Sequence, residues 1–205
     1  MCEKDWRSME NKTLDYYNRN ASAFVEETVC AELKETQDKF LKALNGKKIL
    51  DFGCGSGRDT KYFIESGFDV TAIDGSIELC KSASKYTGIK VSHMLFQELD
   101  EVDKYDGIWA CSSILHLPKK ELKDVFARMA DALSSNGIIY TSFKYGDFEG
   151  IRNGRFFTDF TLEIFSDFIK DIEEIEIKDC WVTGDVRPGR EDERWLNLIL
   201  RKTGF

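Results

Sequence analysis

The spacing of apolar positions changes character along the chain, and each change predicts a different kind of element. Between residues 21 and 44, Phe24, Val29, Leu33, Phe40, Leu41 and Leu44 recur at intervals nearer 3.6 than 2. That spacing predicts amphipathic helix, which Asn45-Gly46 stops. From residue 47 short apolar runs alternate with helical patterns. Strands are expected at 47–52, 69–73, 90–95, 105–111 and 138–143, and helices from the glycine-rich turn to Ser66, then at 76–86 and 118–133. The 105–111 run carries few polar positions and reads as buried on both faces. The 118–133 helix sets Leu122, Val125, Phe126, Met129 and Leu133 on one stripe, with Asn136-Gly137 as its terminator. After residue 144 the pattern breaks. Residues 145–158 are rich in Gly, Arg and Phe without clear period, 161–169 reads as helix, and 172–182 and 194–201 read as strands with no helix between them.

Strands that alternate with helices form a mainly parallel sheet with right-handed crossovers, and two final strands without a helix pair antiparallel at its edge. The expected fold is therefore α/β and Rossmann-like. It has a seven-stranded, mostly parallel sheet, helices on both faces, an antiparallel last strand and an N-terminal helical cap. The length of 205 residues suits one domain. It divides into a cap (1–46), a core (47–144) and a closing segment (145–205).

Composition narrows the classes. With 29 basic and 37 acidic residues the net charge is −8, which argues against a duplex nucleic-acid partner. No apolar run approaches the roughly 20 residues of a membrane span, and residues 1–6 are too polar for a secretory signal. The six cysteines, Cys2, Cys30, Cys54, Cys80, Cys111 and Cys180, form no CxxC pair and suit reduced thiols rather than a disulfide framework or a metal site. A cytoplasmic setting is expected.

The chemistry concentrates in Ile49-Leu50-Asp51-Phe52-Gly53-Cys54-Gly55-Ser56-Gly57, which follows a strand and opens a helix. Glycines there allow a tight turn and close approach of a ligand. The dinucleotide pattern G-x-G-x-x-G/A fails, because its sixth position is Arg58 counted from Gly53 and Thr60 counted from Gly55. Asp51 at the strand end would repel a pyrophosphate but suit the cationic ammonium and sulfonium of S-adenosylmethionine. Asp74 closes the next strand near the spacing expected for a ribose-binding carboxylate; an N-cap role fits it too.

Taken with Val70–Ser76 and Tyr105–Pro118, this stretch resembles motif I, the acidic second loop and motif IV of class I S-adenosylmethionine-dependent methyltransferases, over about residues 47–144. Within that superfamily, residues 53–76 are similar to the methyltransferases described as tellurite-resistance-related. The resemblance implies that Gly53, Gly55 and Gly57 line the methionine and ribose, with Cys54 in the same turn. It implies that Asp51 sits near the methionine ammonium, that Asp74 takes the ribose hydroxyls, and that Gly75 and Ser76 edge the adenine. Cys111 would lie beside the methionine moiety. Where many members carry an adenine-binding Asp, this chain has Phe96 and then Gln97, which implies stacking and backbone contacts instead.

Several residues outside the motif are candidates. His116 follows the fourth strand, where it is a general base or a hydrogen-bonded loop residue; His93 reads as structural. Tyr16, Tyr17 and Asn20 lie in the N-terminal cap, where one tyrosine closes the site or packs as in any amphipathic helix, with Tyr17 the choice for cofactor contact. Arg152 and Arg155, set among aromatics after the fifth strand, suit a substrate lid that reads an anionic group or a solvated loop. Asp185, Arg187 and Arg190 are weaker candidates, and Trp195 reads as packing in the edge strand. The expected function is methyl transfer to a small molecule. A protein or tRNA acceptor, or cofactor binding without catalysis, are the alternatives, and a nicotinamide oxidoreductase is disfavoured by the failed glycine pattern.

Overall fold

The computed structural model describes residues 12–187, 189–190 and 192–203. Cys2 and the polar residues 1–6 lie outside them. Residues 12–19 are helical (α1) and lead into α2 (Ala21–Thr28) and α3 (Lys34–Ala43). The predicted helix over 21–44 is therefore broken at residues 29–33. The alternating region follows as β1 (Lys48–Phe52), α4 (Arg58–Glu65), β2 (Asp69–Asp74), α5 (Ile77–Thr87), β3 (Val91–His93), β4 (Tyr105–Ala110), α6 (Lys119–Ala132) and β5 (Leu133–Lys144). The closing segment adds β6 (Glu149–Arg152), β7 (Arg155–Thr158), α7 (Leu162–Ile169), β8 (Ile175–Gly184) and β9 (Arg194–Lys202).

Seven strands make one sheet in the order β3-β2-β1-β4-β5-β9-β8, and β6 pairs with β7 separately. The pairs from β3 to β5 are parallel, and β9 runs antiparallel to both β5 and β8. The predicted seven-stranded, mostly parallel sheet with an antiparallel last strand is thus the observed one. The last strand is not the edge, however: β9 inserts between β5 and β8, and β8 takes the border.

Alternation along each strand sends side chains to two covered faces. Leu50, Phe52, Ile108, Ile139 and Phe143 face α6 and α7 in one large apolar cluster. Ile49, Trp109, Ile138, Tyr140 and Ile199 face the other way, against Phe40 of α3 and Phe63 of α4. At the centre of that second face, the Trp109 ring stacks on Tyr140, its register partner, at 4.0 Å and 19°. Burying one such ring contributes about 1.5–3 kcal/mol.

Two departures from the sequence reading have local causes. The helix α6 ends at Ala132, four residues before Asn136-Gly137. Those two residues lie inside β5, where Asn136 takes φ 62° at the irregularity in the β4–β5 register. The apparently aperiodic stretch after residue 144 holds a hairpin. Asn153 (φ 51°) and Gly154 (φ 77°) form its two-residue turn, the left-handed pair that matches the twist of antiparallel strands.

Candidate functional site

The strand order reverses at β1, which lies between β2 and β4. A crevice opens beyond the carboxyl ends of the strands at such a point, and there the chain encloses a cavity of about 250 Å3. Its floor is the end of β1, β2, β4 and β5. The α1–α2 segment covers it, and the β6–β7 hairpin and the β8–β9 connection close the far side.

At one end lies the turn after β1. Gly53 has φ 87°, and a Cβ there would come within 2.6 Å of Ser113 Cβ, so only glycine fits. The N–H groups of Gly53 and Cys54 both donate to Ile73 O, at 3.0 and 2.9 Å, and that of Gly57 to Cys54 O. The Gly55 N–H donates to Asp74 Oδ2 at 2.9 Å, and the Ser76 N–H to Asp74 Oδ1 at 2.8 Å. These turn N–H groups are thus engaged by protein oxygens rather than aimed at a ligand anion. Asp74 is 8% exposed, and each carboxylate oxygen keeps a lone pair for the cavity it lines. Burial raises its pKa, with the two backbone N–H bonds opposing.

Of the sequence candidates, Tyr17, Gly53, Cys54, Gly55, Asp74, Gly75, Phe96, Cys111, His116, Arg152 and Arg155 line this cavity. Asp51, Gly57, Ser76 and Gln97 do not. Asp51 sits behind the turn, 2% exposed, and accepts the Thr60 hydroxyl at 2.5 Å. Burial, reinforced by the Asp59 charge, pushes its pKa up to about 8, so it is largely a neutral acid at pH 7. Gly57 caps α4, and a Cβ on it would crowd Thr87 and Ala83 of α5. Ser76 caps α5 by accepting the Leu79 N–H, and its hydroxyl bonds Asn18.

Beneath the turn is a network that sequence reasoning missed. Asp59, 6% exposed, accepts from Gln37 Nε2 (2.7 Å), from Arg58 Nε and Nη2 (both 2.8 Å) and from Trp109 Nε1 (2.9 Å). Burial raises its pKa, but Arg58 and these bonds more than compensate and the net shift is downward. The signal was present: Arg58-Asp59 directly follows Gly57, an acid in the first helical turn beside a base. The Cys111 thiol, 4.0 Å from Arg58 Nη2, is pushed up to about 11 by burial and stays protonated. Ser112 next to it has φ 51°, a costly conformation outside glycine that clusters at functional sites. The Ser142 hydroxyl accepts its N–H at 2.9 Å.

The opposite end is built by residues far apart in sequence. Tyr17 Oη lies 2.7 Å from His116 Nε2, and His116 Nδ1 lies 2.6 Å from Phe156 O. A carbonyl only accepts, so Nδ1 carries the proton and Nε2 accepts from the Tyr17 hydroxyl. Burial, helped by the Arg155 and Lys144 charges and opposed by the bond to Phe156 O, lowers the His116 pKa to about 4. Tyr17 is raised by burial, with Arg155 opposing. Lys144, Asp185, Arg187, Arg190 and Trp195 also face this end. Trp195 is therefore a cavity residue on an interior strand, its Nε1 donating to Asp185 Oδ2 at 3.1 Å.

A family model described as a methyltransferase domain matches residues 49–137, from β1 into β5. The fold is a Rossmann-like α/β sheet with a glycine turn after its first strand. The chain is 30% identical over 115 residues to a ubiquinone biosynthesis O-methyltransferase of Pasteurella multocida, covering 48% of this chain and 47% of that protein. It spans about half the length of the curated relatives it matches. Its fold is similar to the 1,6-didemethyltoxoflavin-N1-methyltransferase of Burkholderia thailandensis, with a TM-score of 0.79 at 20% identity over 100% of this chain and 92% of that one. A (4+2) cyclase also shares the fold, with a TM-score of 0.65 at 15% identity over 83% and 81% of the two chains. The architecture alone therefore does not fix the chemistry.

Provided S-adenosylmethionine is the ligand, the residues present fit it. Gly53 and Gly55 leave room that side chains would fill, and Gly55 and Ser76 hold Asp74 as a buried acceptor for ribose hydroxyls. Among the described residues no group of His, Cys, Asp and Glu is arranged to hold a metal ion, and no helix is long and apolar enough to cross a membrane.

Proposed function

We propose that this chain is an S-adenosylmethionine-dependent methyltransferase that acts on a small-molecule acceptor. The observation that carries the reading is the turn after β1. Gly53, Cys54 and Gly55 spend their N–H groups on Ile73 O and Asp74, which disfavours a pyrophosphate and leaves a carboxylate for a ribose. The match to a methyltransferase domain over residues 49–137 supports it, as do relatives named as O- and N-methyltransferases of small molecules. The five described cysteines are free thiols, which favours action in a reducing compartment such as the cytoplasm.

When bound, S-adenosylmethionine supplies a methyl group made electrophilic by its sulfonium. Gly53 and Gly55 would line its amino-acid end, Asp74 would accept from the ribose, and the Phe96 ring would flank the base. Asp51 acts behind the turn, where its bond to Thr60 fixes β1 against α4. The α1–α2 cover excludes water while the acceptor is held in line, and alignment of that kind lowers a barrier by about 7–11 kcal/mol. An acceptor hydroxyl against Tyr17 passes its proton to Tyr17 Oη as the Tyr17 proton moves to His116 Nε2. A histidine with a pKa of about 4 is a weak base, so this relay suits acceptors that are already acidic.

Calorimetry with S-adenosylmethionine, S-adenosylhomocysteine and NAD, on wild type and Asp74→Asn, tests the reading. Both sulfur nucleosides should bind, NAD should not, and Asp74→Asn should weaken S-adenosylhomocysteine by about 10–100-fold, the loss of charged hydrogen bonds. Binding of NAD alone, or of none of the three, would sink the assignment.

A further inference from the structure

Six basic side chains line the cavity: Arg58, Lys144, Arg152, Arg155, Arg187 and Arg190. Five have carboxylate partners. Arg58 faces Asp59, Arg152 faces Asp159 at 2.6 Å, Arg187 faces Asp185 at 2.5 Å, and Lys144 and Arg190 share Glu193. Arg155 is the exception: among the described residues no carboxylate pairs with it. Its guanidinium rests against the rings of Tyr16 (4.5 Å), Phe157 (5.1 Å) and Tyr17 (5.7 Å). One Nη donates to Tyr17 Oη at 3.3 Å, and its Nε is buried without a partner.

A partly buried cation without a counter-charge is costly, and rings compensate it only in part. The same guanidinium borders the Tyr17–His116 pair, where an acceptor would lie. We propose that Arg155 is the acceptor-recognition residue and that the acceptor carries a carboxylate or phosphate group, which the guanidinium binds through parallel N–H bonds. This rests on the methyltransferase reading for the word acceptor, but the anion site stands on its own geometry. Arg152 across the hairpin turn does not share the role, because Asp159 neutralises it.

The test uses 15N-labelled protein, with and without saturating S-adenosylhomocysteine, titrated with 4-hydroxybenzoate, phenyl phosphate and the neutral 4-hydroxybenzamide. The Arg155 Nε–H signal is followed by NMR. At least one anion should shift that signal and bind about tenfold tighter than the amide, and whichever anion binds tighter identifies the group. Arg155→Gln should abolish the preference, and Arg155→Lys should keep part of it. Equal binding of charged and neutral probes by wild type, or a preference that survives Arg155→Gln, overturns the proposal. If Arg155→Gln does not fold, wild type and Arg155→Lys decide. Anion preference without S-adenosylhomocysteine binding would leave the site standing and remove the methyltransferase reading. The reverse result would do the opposite.

Discussion

The two ends of the cavity are stabilised in opposite ways. Around the turn after β1 the polar groups are matched inside the protein: backbone N–H groups meet Ile73 O and Asp74, and Asp59 collects four donors from Gln37, Arg58 and Trp109. Across the cavity Arg155 has rings and one hydroxyl but no counter-ion. An internally matched site holds a fixed shape for a ligand that does not vary. A site with charge left over takes its last partner from the ligand, and so selects it.

The sharpest way to break this contrast is to truncate one member on each side. Asp59→Ala strands the Arg58 guanidinium, whose side chain is only 18% exposed, and should cost about 3–5 kcal/mol in urea unfolding. Arg155→Ala removes a cation with no ion pair and should cost about 1 kcal/mol or less. Equal losses would mean that Arg155 is as firmly built in as Arg58, and the contrast would fail.

A smaller effect sharpens the comparison through pH. The Asp51 pKa is about 8 in the folded protein, above its ordinary 3.8, so the folded state holds a proton that the unfolded chain releases. Asp51 thus favours folding fully below about pH 4, and its contribution is lost as pH rises towards 8. His116 has the opposite sign. Its folded pKa of about 4 lies below the ordinary 6.5, so its contribution is complete above 6.5 and is lost as pH falls towards 4. Of these two groups, only Asp51 contributes a slope above pH 6.5. Asp51→Asn should therefore be clearly more stable than wild type at pH 8, and close to it at pH 4. Denaturation midpoints across that range check it, and a variant less stable at pH 8 would show that the carboxylate is needed in charged form.

The smallest effect falls on the hairpin. Asn153→Ala keeps φ 51° with a residue that disfavours it and should lower stability by about 1 kcal/mol. Affinity for S-adenosylhomocysteine should not change, since the turn lies at the other end; a weakening there would mean that the ends are coupled.

The same contrast explains what was legible in the sequence. The end around the glycine turn is largely one contiguous motif, so the positions of Gly53, Gly55 and Asp74 beside the cavity could be expected from the motif. Spacing does not report depth, however. Asp51 lies one residue before the end of β1 and Asp74 ends β2, yet one sits behind the turn and the other faces the cavity. The seven-stranded, mostly parallel sheet followed from the alternation of elements, whereas the insertion of β9 between β5 and β8 depends on long-range pairing that no local pattern encodes. The hairpin was missed although Asn153-Gly154 is a strong turn signal, because four-residue strands are too short to display alternation. The Tyr17–His116 contact spans 99 positions, and nothing local in either segment announces the other. Trp195, read as packing, became a cavity residue for the same reason.

The placement of β9 has a consequence for how the chain is made. It pairs with β5, whose register partners precede it by 51 to 63 positions (Lys144 to Trp195, Ile138 to Arg201), and with β8 on its other side. Until residues 194–202 leave the ribosome, β5 presents an open edge of unpaired amides, the kind of surface that templates aggregation. The wall formed by Trp195 and Asn197 is also missing until then. The glycine turn can therefore form early while the Trp195 side of the cavity cannot, and a nascent chain paused before residue 194 should depend on chaperones more than a completed one.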